Sequence, residues 1–458
     1  MSRILKYFGT DGIRGVAGSE LTADFALRVG IAVGKALRRS NRGRKLPYFR
    51  RVDRTFPHPS VLLAQDTRAS SPMLAQAVAS GLASTGVTVL DAGVAPTPLV
   101  ALMANRYSVI GGVMITASHN PVDHNGIKVF RSDGLKIDAK TEAAIEGLID
   151  GGASAAAPPY GAVLKADVRP EYVDYLGKLS RICGRGTKVA LDLAHGAACG
   201  VAVEAFNARG FEVVPVCADP DGERINVRCG ATDLRKLKRA TVKSGADWGF
   251  AFDGDADRVM AVDAQGRVVD GDRLMAFLAL HHRPYRRAQQ LVFTQVTNMG
   301  VERYLQDRGF RTYRTAVGDT SVLQAMRKHD VLIGGEQSGH IICWDKTCGG
   351  DGVLVALFVS ELLIRRGISL GEFARQIPAC AQVLKNVRMR DNKRWRQDRG
   401  FVRRLRGLQA GYGDHVRFYI RPSGTESLVR VLTESTSPAL ARRANADVVG
   451  LFSAYGRK

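Results

Sequence analysis

Three stretches of the chain share one layout: an apolar strand, a polar loop, a helical segment, a glycine and a second strand. They read SVLLAQDTRASSPMLAQAVASGLASTGVTVLDAG, KVALDLAHGAACGVAVEAFNARGFEVVPVC and QLVFTQVTNMGVERYLQDRGFRTYRTAVGD. Each helical segment is closed by Gly86, Gly210 or Gly309, glycine being the residue that best tolerates the left-handed backbone of a helix C-terminus. Strand, helix and strand in succession demand parallel pairing, with helices covering the sheet. The pattern predicts an α/β protein assembled from related units. No strict sequence period accompanies it, so the repeat is one of structure.

A chain of 458 residues exceeds what one core usually serves, which implies several domains. DGGASAAAPPYGA, residues 150–162, reads as a linker. After GISLGEF, residues 367–373, the chain turns basic. The expected division is residues 1–157, 158–263, 264–373 and 374–458, the last a smaller α+β domain.

Hydrophobic residues make up 45% and charged residues 24%, as in a soluble globular protein. No segment reaches the roughly 18 apolar residues of a spanning helix, and the opening MSRILKYFGTDG has no long apolar core. A cytoplasmic protein is expected. Cys183, Cys199, Cys217, Cys229, Cys343, Cys348 and Cys380 are scattered without CxxC spacing. They suggest neither a disulfide framework nor a zinc site, and read as reduced packing residues.

The formal charge of +22 is concentrated partly in residues 37–55 and 393–406. Such a balance admits any anionic partner and selects none, and the clusters read as solvated arginine-rich surface. Nucleic-acid binding is not expected, since aromatics are 7% and no recognition motif accompanies the basic residues.

FAFDGDADRVMAVD places Asp253, Asp255 and Asp257 on alternate positions between two apolar runs. On extended backbone alternate side chains point the same way, so the carboxylates are expected to converge. Close carboxylates repel unless a cation neutralises them, and hard oxygen ligands select Mg²⁺ or Mn²⁺. A solvated acidic turn is the competing reading. VIGGVMITASHNPVDHNGIKVF runs a strand into Ser118, with His119 and Lys128 nearby. Ser118 is either a local hydrogen bonder in its turn or a reacting hydroxyl helped by those neighbours; no GxSxG surrounds it. GGEQSGH presents Glu336, Ser338 and His340 from a flexed turn, groups that suit sugar hydroxyls or amines. YIRPSGTESLVRVL carries Arg421, Ser423, Gly424, Thr425 and Arg430, a phosphate cradle without a Walker lysine.

FGTDGIRG, TASHNP, DGDADR, GEQSGH and RPSGTE, in that order along essentially the whole chain, resemble the α-D-phosphohexomutase superfamily. The resemblance implies four domains around a central cleft, three related α/β units and a smaller C-terminal domain, each contributing one signature loop. It implies that Ser118 is a phosphoserine and that, with Asp253, Asp255 and Asp257, it holds one Mg²⁺. Arg14, His119, Lys128 and Arg258 would surround the transferring phosphoryl group, with Lys128 moving the proton. Glu336, Ser338 and His340 would contact the sugar; Arg421, Ser423, Gly424, Thr425 and Arg430 would hold the phosphate that is not reacting.

Ala256 and Gln337 resemble the bacterial branch that isomerises amino-sugar phosphates; members acting on glucose or mannose phosphates, the alternative, usually differ there. The implied reaction interconverts glucosamine 6-phosphate and glucosamine 1-phosphate, with glucosamine 1,6-bisphosphate as intermediate and activator, and supplies UDP-N-acetylglucosamine synthesis. The implied partner is a small amino-sugar phosphate, not a membrane, and a homodimer is compatible with this reading. An intermediate that must turn round needs a roomy closed cleft, so the C-terminal domain is expected to move as a lid. Two departures stand out: a basic insertion around residues 41–59, and Ser427, where relatives commonly have proline.

Overall fold

Each of the three repeated stretches closes a parallel pair: Ser60–Gln65 with Thr88–Val94, Lys188–Asp192 with Glu212–Val216, and Gln290–Thr294 with Arg311–Thr315. The computed structural model describes residues 5–9, 11–40, 56–152, 154, 159–378, 380–423 and 427–456. The crossover helices are Ser71–Ala83, Ala198–Asn207 and Met299–Gln306. Beyond them Gly86, Gly210 and Gly309 have φ of 77°, 78° and 83°, the left-handed conformation that the glycine signal predicted.

Every unit then adds an antiparallel strand through a hairpin. In the first sheet Gly111–Ile115 pairs antiparallel with His124–Arg131, which pairs in turn with Gly12–Val16. The second turns from Trp248–Phe252 into Val259–Asp263, and the third from Ile333–Gly335 into Ile341–Cys343. Gly111–Ile115 and Trp248–Phe252 are buried at every position, which is why they read as unbroken apolar runs. The fourth sheet is wholly antiparallel, Ala381–Arg388 and Arg417–Pro422 flanking Leu428–Ser435. Ser118, the aspartates and the Glu336–His340 segment therefore all occupy hairpin connections.

The boundaries differ from those expected. Val163–Lys165 joins the first sheet beside Thr88–Val94, so that sheet runs past residue 157. Val268–Val269 joins the second sheet, past residue 263, and residue 373 falls inside the helix Leu370–Gln376. A Gly/Ala/Pro-rich segment signals chain flexibility; it does not say which sheet the next strand will join. Residues 153 and 155–158 of that segment, and 41–55 of the basic insertion, lie outside the described residues.

One buried apolar cluster runs from Leu62 through Phe250 and Phe293 to Ile377, uniting the three α/β units. The C-terminal domain keeps a core of its own around Trp395, Phe401 and Phe452. It meets the third unit through polar contacts: Gln337 Nε2 donates to Gln382 Oε1 at 3.1 Å, and Arg417 Nη2 to the Thr297 carbonyl at 2.7 Å.

Asp351 ties the second unit to the third. Its carboxylate caps the helix Gly352–Arg366 by accepting from Leu354 N at 2.9 Å, and accepts from Tyr172 OH at 2.8 Å. Burial pushes its pKa up to about 6. The folded state thus binds the proton more tightly than the unfolded chain, so the group's contribution to stability is complete below about pH 4 and lost as pH rises through about 6. Asp351→Asn keeps the cap on Leu354 N through its one amide oxygen, turns the Tyr172 contact round so that Nδ2 donates to the hydroxyl, and removes the charge. Urea unfolding at pH 4 and pH 7.5 should show the variant gaining about 2 kcal/mol on the parent between the two; a pH-independent difference would contradict the assignment.

Candidate active site

The strand Trp248–Phe252 delivers the chain into a turn in which Ala256 N donates to the Asp253 carbonyl at 3.1 Å and Ala256 takes φ 58°. The three carboxylates converge because of this left-handed turn, not because the backbone stays extended. One oxygen from each of Asp253, Asp255 and Asp257 lies within 4.8 Å of the others, and all three residues are buried.

Ser118 meets them from 135 positions away in sequence: its Oγ donates to Asp253 Oδ2 at 2.7 Å and lies 3.3 Å from His119 Nδ1. The residue is 1% exposed and has φ 54°, a strained conformation for a side chain with a Cβ. Arg68 enforces it. The buried guanidinium donates to Ser118 O and Asn120 O at 2.9 Å each, to His124 O at 2.9 Å and to Pro121 O, while Nε donates to Asp66 Oδ2 at 3.0 Å. Asn226 Nδ2 also donates to Ser118 O, at 2.9 Å.

Lys128 Nζ sits 2.7 Å from Asp255 Oδ2, 3.2 Å from Asp257 Oδ2 and 3.3 Å from Asp11 Oδ2. Burial disfavours its charge, but the three carboxylates outweigh burial and hold the ammonium well above the ordinary lysine range. Burial, with Asp257 and Asp255 beside it, raises Asp253 well above the usual carboxylate range. Asp255 Oδ1 and Asp257 Oδ1 are buried without a hydrogen-bond partner. Hard oxygen donors, two of them orphaned in a crowded acidic turn, fit a divalent cation such as Mg²⁺.

Arg258 N donates to Asp253 Oδ1 at 3.1 Å, and its Nε stands 3.9 Å from Asp257 Oδ1. Arg14 donates to Asn120 Oδ1 at 3.1 Å and pairs with Asp11. Burial, then Arg258 and Arg14, pull the His119 pKa down to about 4, so its imidazole is neutral at neutral pH.

The Glu336–His340 segment is docked onto the aspartate hairpin. Gly339 O accepts from Val259 N at 3.0 Å; at φ 92°, a Cβ there would lie 2.2 Å from Val259 O, so only glycine fits. His340 Nδ1 lies 3.6 Å from Asp257 Oδ1, while Glu336 accepts from Gly318 N at 2.9 Å and from Ser338 Oγ at 3.3 Å. Loops from three units thus share one centre.

Arg421, Ser423 and Arg430 form a second group on the C-terminal sheet. Arg421 and Arg430 are direct cross-strand partners, which puts two guanidinium groups on one face of the sheet, a pattern that suits an anion. Ser423 is 4% exposed and its amide donates to the Leu428 carbonyl at 2.8 Å. Gly424 and Thr425 lie outside the described residues. Ser427 O accepts from Met389 N at 2.9 Å.

Sequence reasoning missed several neighbours. Asp11 stood inside FGTDGIRG, yet only Arg14 was drawn from that motif. Thr97 donates to Asp255 Oδ2 at 2.5 Å; Lys136 Nζ joins Asp11 and, at 2.5 Å, Asp319 of the third unit. Nothing local in the sequence marks these, because their partners lie more than a hundred residues away along the chain.

Family models of phosphoglucomutase/phosphomannomutase match in series: α/β/α domain I over residues 5–156, domain II over 170–266, domain III over 270–380 and the C-terminal domain over 384–451. A phosphoglucosamine mutase from Synechococcus elongatus is 42% identical over 441 residues, covering 93% of this chain and 90% of that protein. One from Rhodococcus jostii is 38% identical over 451 residues, covering 97% and 98%. Among solved structures, a phosphoglucomutase/phosphomannomutase family protein from Burkholderia thailandensis superposes with a TM-score of 0.80 at 25% identity, over 98% of both chains. With the four domains in order and full-length relatives this similar, the chain belongs to the phosphoglucosamine mutase family of the phosphohexomutases.

Proposed function

We propose that the protein interconverts glucosamine 6-phosphate and glucosamine 1-phosphate, with Ser118 as its phosphoryl carrier. The observation that carries this reading is the 2.7 Å contact between Ser118 Oγ and Asp253 within a buried carboxylate triad. Phosphoryl transfer asks for in-line placement and neutralised charge rather than covalent assistance, and this turn offers both. Asp253, Asp255, Asp257 and an oxygen on Ser118 would hold one Mg²⁺, which when bound offsets the charge on the phosphoryl oxygens.

In the forward direction the phosphorus–Oγ bond of phosphorylated Ser118 breaks as a bond forms to the sugar's 1-hydroxyl oxygen, giving glucosamine 1,6-bisphosphate. The proton balance closes through Lys128: its ammonium protonates the departing serine oxygen, and the resulting amine takes the hydroxyl proton. Arg14, His119 and Arg258 line the phosphoryl group, two cations and a neutral donor or acceptor. The bisphosphate turns round, its 6-phosphate passes to Ser118 Oγ, and glucosamine 1-phosphate leaves.

Arg421, Ser423, Gly424, Thr425 and Arg430 grip whichever phosphate is idle, and the cross-strand arginine pair supports that role. Glu336, Ser338 and His340 read the sugar, the carboxylate matching the substrate's amine. The separate core and polar seam of the C-terminal domain suit a lid that opens for the turn. No described helix is long and apolar enough to cross a membrane; we place the enzyme in the cytoplasm, feeding UDP-N-acetylglucosamine synthesis.

Ser118→Ala should lower turnover at least about a thousandfold and remove the one phosphopeptide that mapping of the parent protein yields; an active, unphosphorylated variant would end the mechanism. The family models name glucose and mannose mutases, so substrate choice needs its own test. Coupled assays should give kcat/KM at least about tenfold higher for glucosamine phosphate than for glucose or mannose phosphate, and a preference for glucose 1-phosphate would overturn the substrate assignment while leaving the serine chemistry intact.

A further inference from the structure

Behind the Ser118 turn, the fold gathers side chains that the sequence scatters. One ring nitrogen of His195 and the sulfurs of Cys217 and Cys229 all lie within 4.8 Å of one another. His195 and Cys229 are buried and Cys217 is half-buried. His195 Nδ1 is 2.9 Å from the Asp219 carbonyl. A carbonyl only accepts, so Nδ1 carries the proton and Nε2 keeps the lone pair, the tautomer arrangement usual for a ligating histidine. Lys236 Nζ donates toward Cys217 Sγ at 3.4 Å.

The backbone is bent to present these groups. His195 and Cys217 themselves have φ of 54° and 50°, and Ala194 and Arg228 beside them have 54° and 52°. Left-handed backbone at residues with a Cβ is strained and persists where the surroundings impose it.

We infer that His195, Cys217 and Cys229 form a binding site for a soft transition-metal ion, Zn²⁺ foremost, distinct from the aspartate triad. Two thiolates and an imidazole select zinc where an all-oxygen set selects magnesium. Tetrahedral zinc with bonds of about 2.3 Å to sulfur places two sulfurs about 3.8 Å apart, so side-chain shifts of about an ångström bring the three ligands into register, with water as the fourth. The ion clamps a shelf that supports the reacting turn: Asn226, between the two cysteines, donates to Ser118 O at 2.9 Å, and His195 O accepts from Thr67 Oγ1 at 2.6 Å. Ala197 N also donates to Gly254 O, at 2.8 Å, in the aspartate turn.

The test uses the full-length protein, purified under reducing conditions without chelator. Elemental analysis should find about one zinc per chain, and Co²⁺ in its place should give the thiolate-to-cobalt charge-transfer band of a cysteine-ligated site. Cys217→Ser and Cys229→Ser should each weaken Co²⁺ binding at least about tenfold and diminish the band, while Asp255→Asn leaves it unchanged. In the unmodified protein, two of the seven cysteines, mapped to 217 and 229, should resist alkylation until a chelator is added, a readout that does not depend on the variants folding. Absence of both zinc and band, a band indifferent to the cysteine substitutions, alkylation protection that maps elsewhere, or a Cys217–Cys229 disulfide in the reduced preparation would each overturn the assignment.

Discussion

Three carboxylates, from Asp253, Asp255 and Asp257, are packed within 4.8 Å of one another and withdrawn from water, and the rest of the site is a set of answers to that repulsion. In a medium less polar than water, like charges this close interact by several kcal/mol. Lys128 answers part of it with the single positive charge of its ammonium, and Asp11 beside it adds a further negative. Two carboxylate oxygens still lack hydrogen-bond partners. A divalent cation would complete the balance, and the same cation would serve the phosphoryl group that the proposed mechanism puts on the adjacent serine. The need of the turn and the need of the reaction coincide.

The architecture serves that meeting point. Each α/β unit ends its parallel strands in an antiparallel hairpin, and the hairpin connections of the three units converge. Arg68, anchored by Asp66, donates four hydrogen bonds to carbonyls of the Ser118 turn, so a strained φ at the serine is held by these bonds instead of by local preference. Gly339 lets the third unit's loop lie directly on the aspartate hairpin. One continuous core welds these three units, whereas the C-terminal sheet with its paired arginines is packed on its own. A rigid centre and a separately folded C-terminal domain suit the proposed reaction, in which the substrate turns between two half-reactions.

Much of this was legible before any coordinates. Parallel pairing followed from the strand–helix–glycine–strand layout because a glycine-terminated crossover leaves few other solutions, and all three glycines are left-handed. The acidic triplet, the serine turn and the two arginines are local signals, each confined to a few residues. What was not legible is what depends on distance along the chain. Lys136 with Asp319, Thr97 with Asp255, and Arg68 with the Ser118 turn are unions of remote segments, and the same is true of His195 with Cys217 and Cys229, whose spacing argued against a metal site. The convergence of the aspartates was expected from extended backbone and arises from a left-handed turn at Ala256, since a period-two pattern cannot distinguish a strand end from a tight loop.

The central claim, that the buried aspartates exist to hold a divalent cation beside Ser118, is tested most directly by Mn²⁺ binding to the full-length chain, followed by the loss of the free-ion spin-resonance signal. The account predicts one tight site per chain, displaced by Mg²⁺ and weakened at least about tenfold by Asp255→Asn. Mn²⁺ binding of unchanged stoichiometry and affinity in that variant would contradict it.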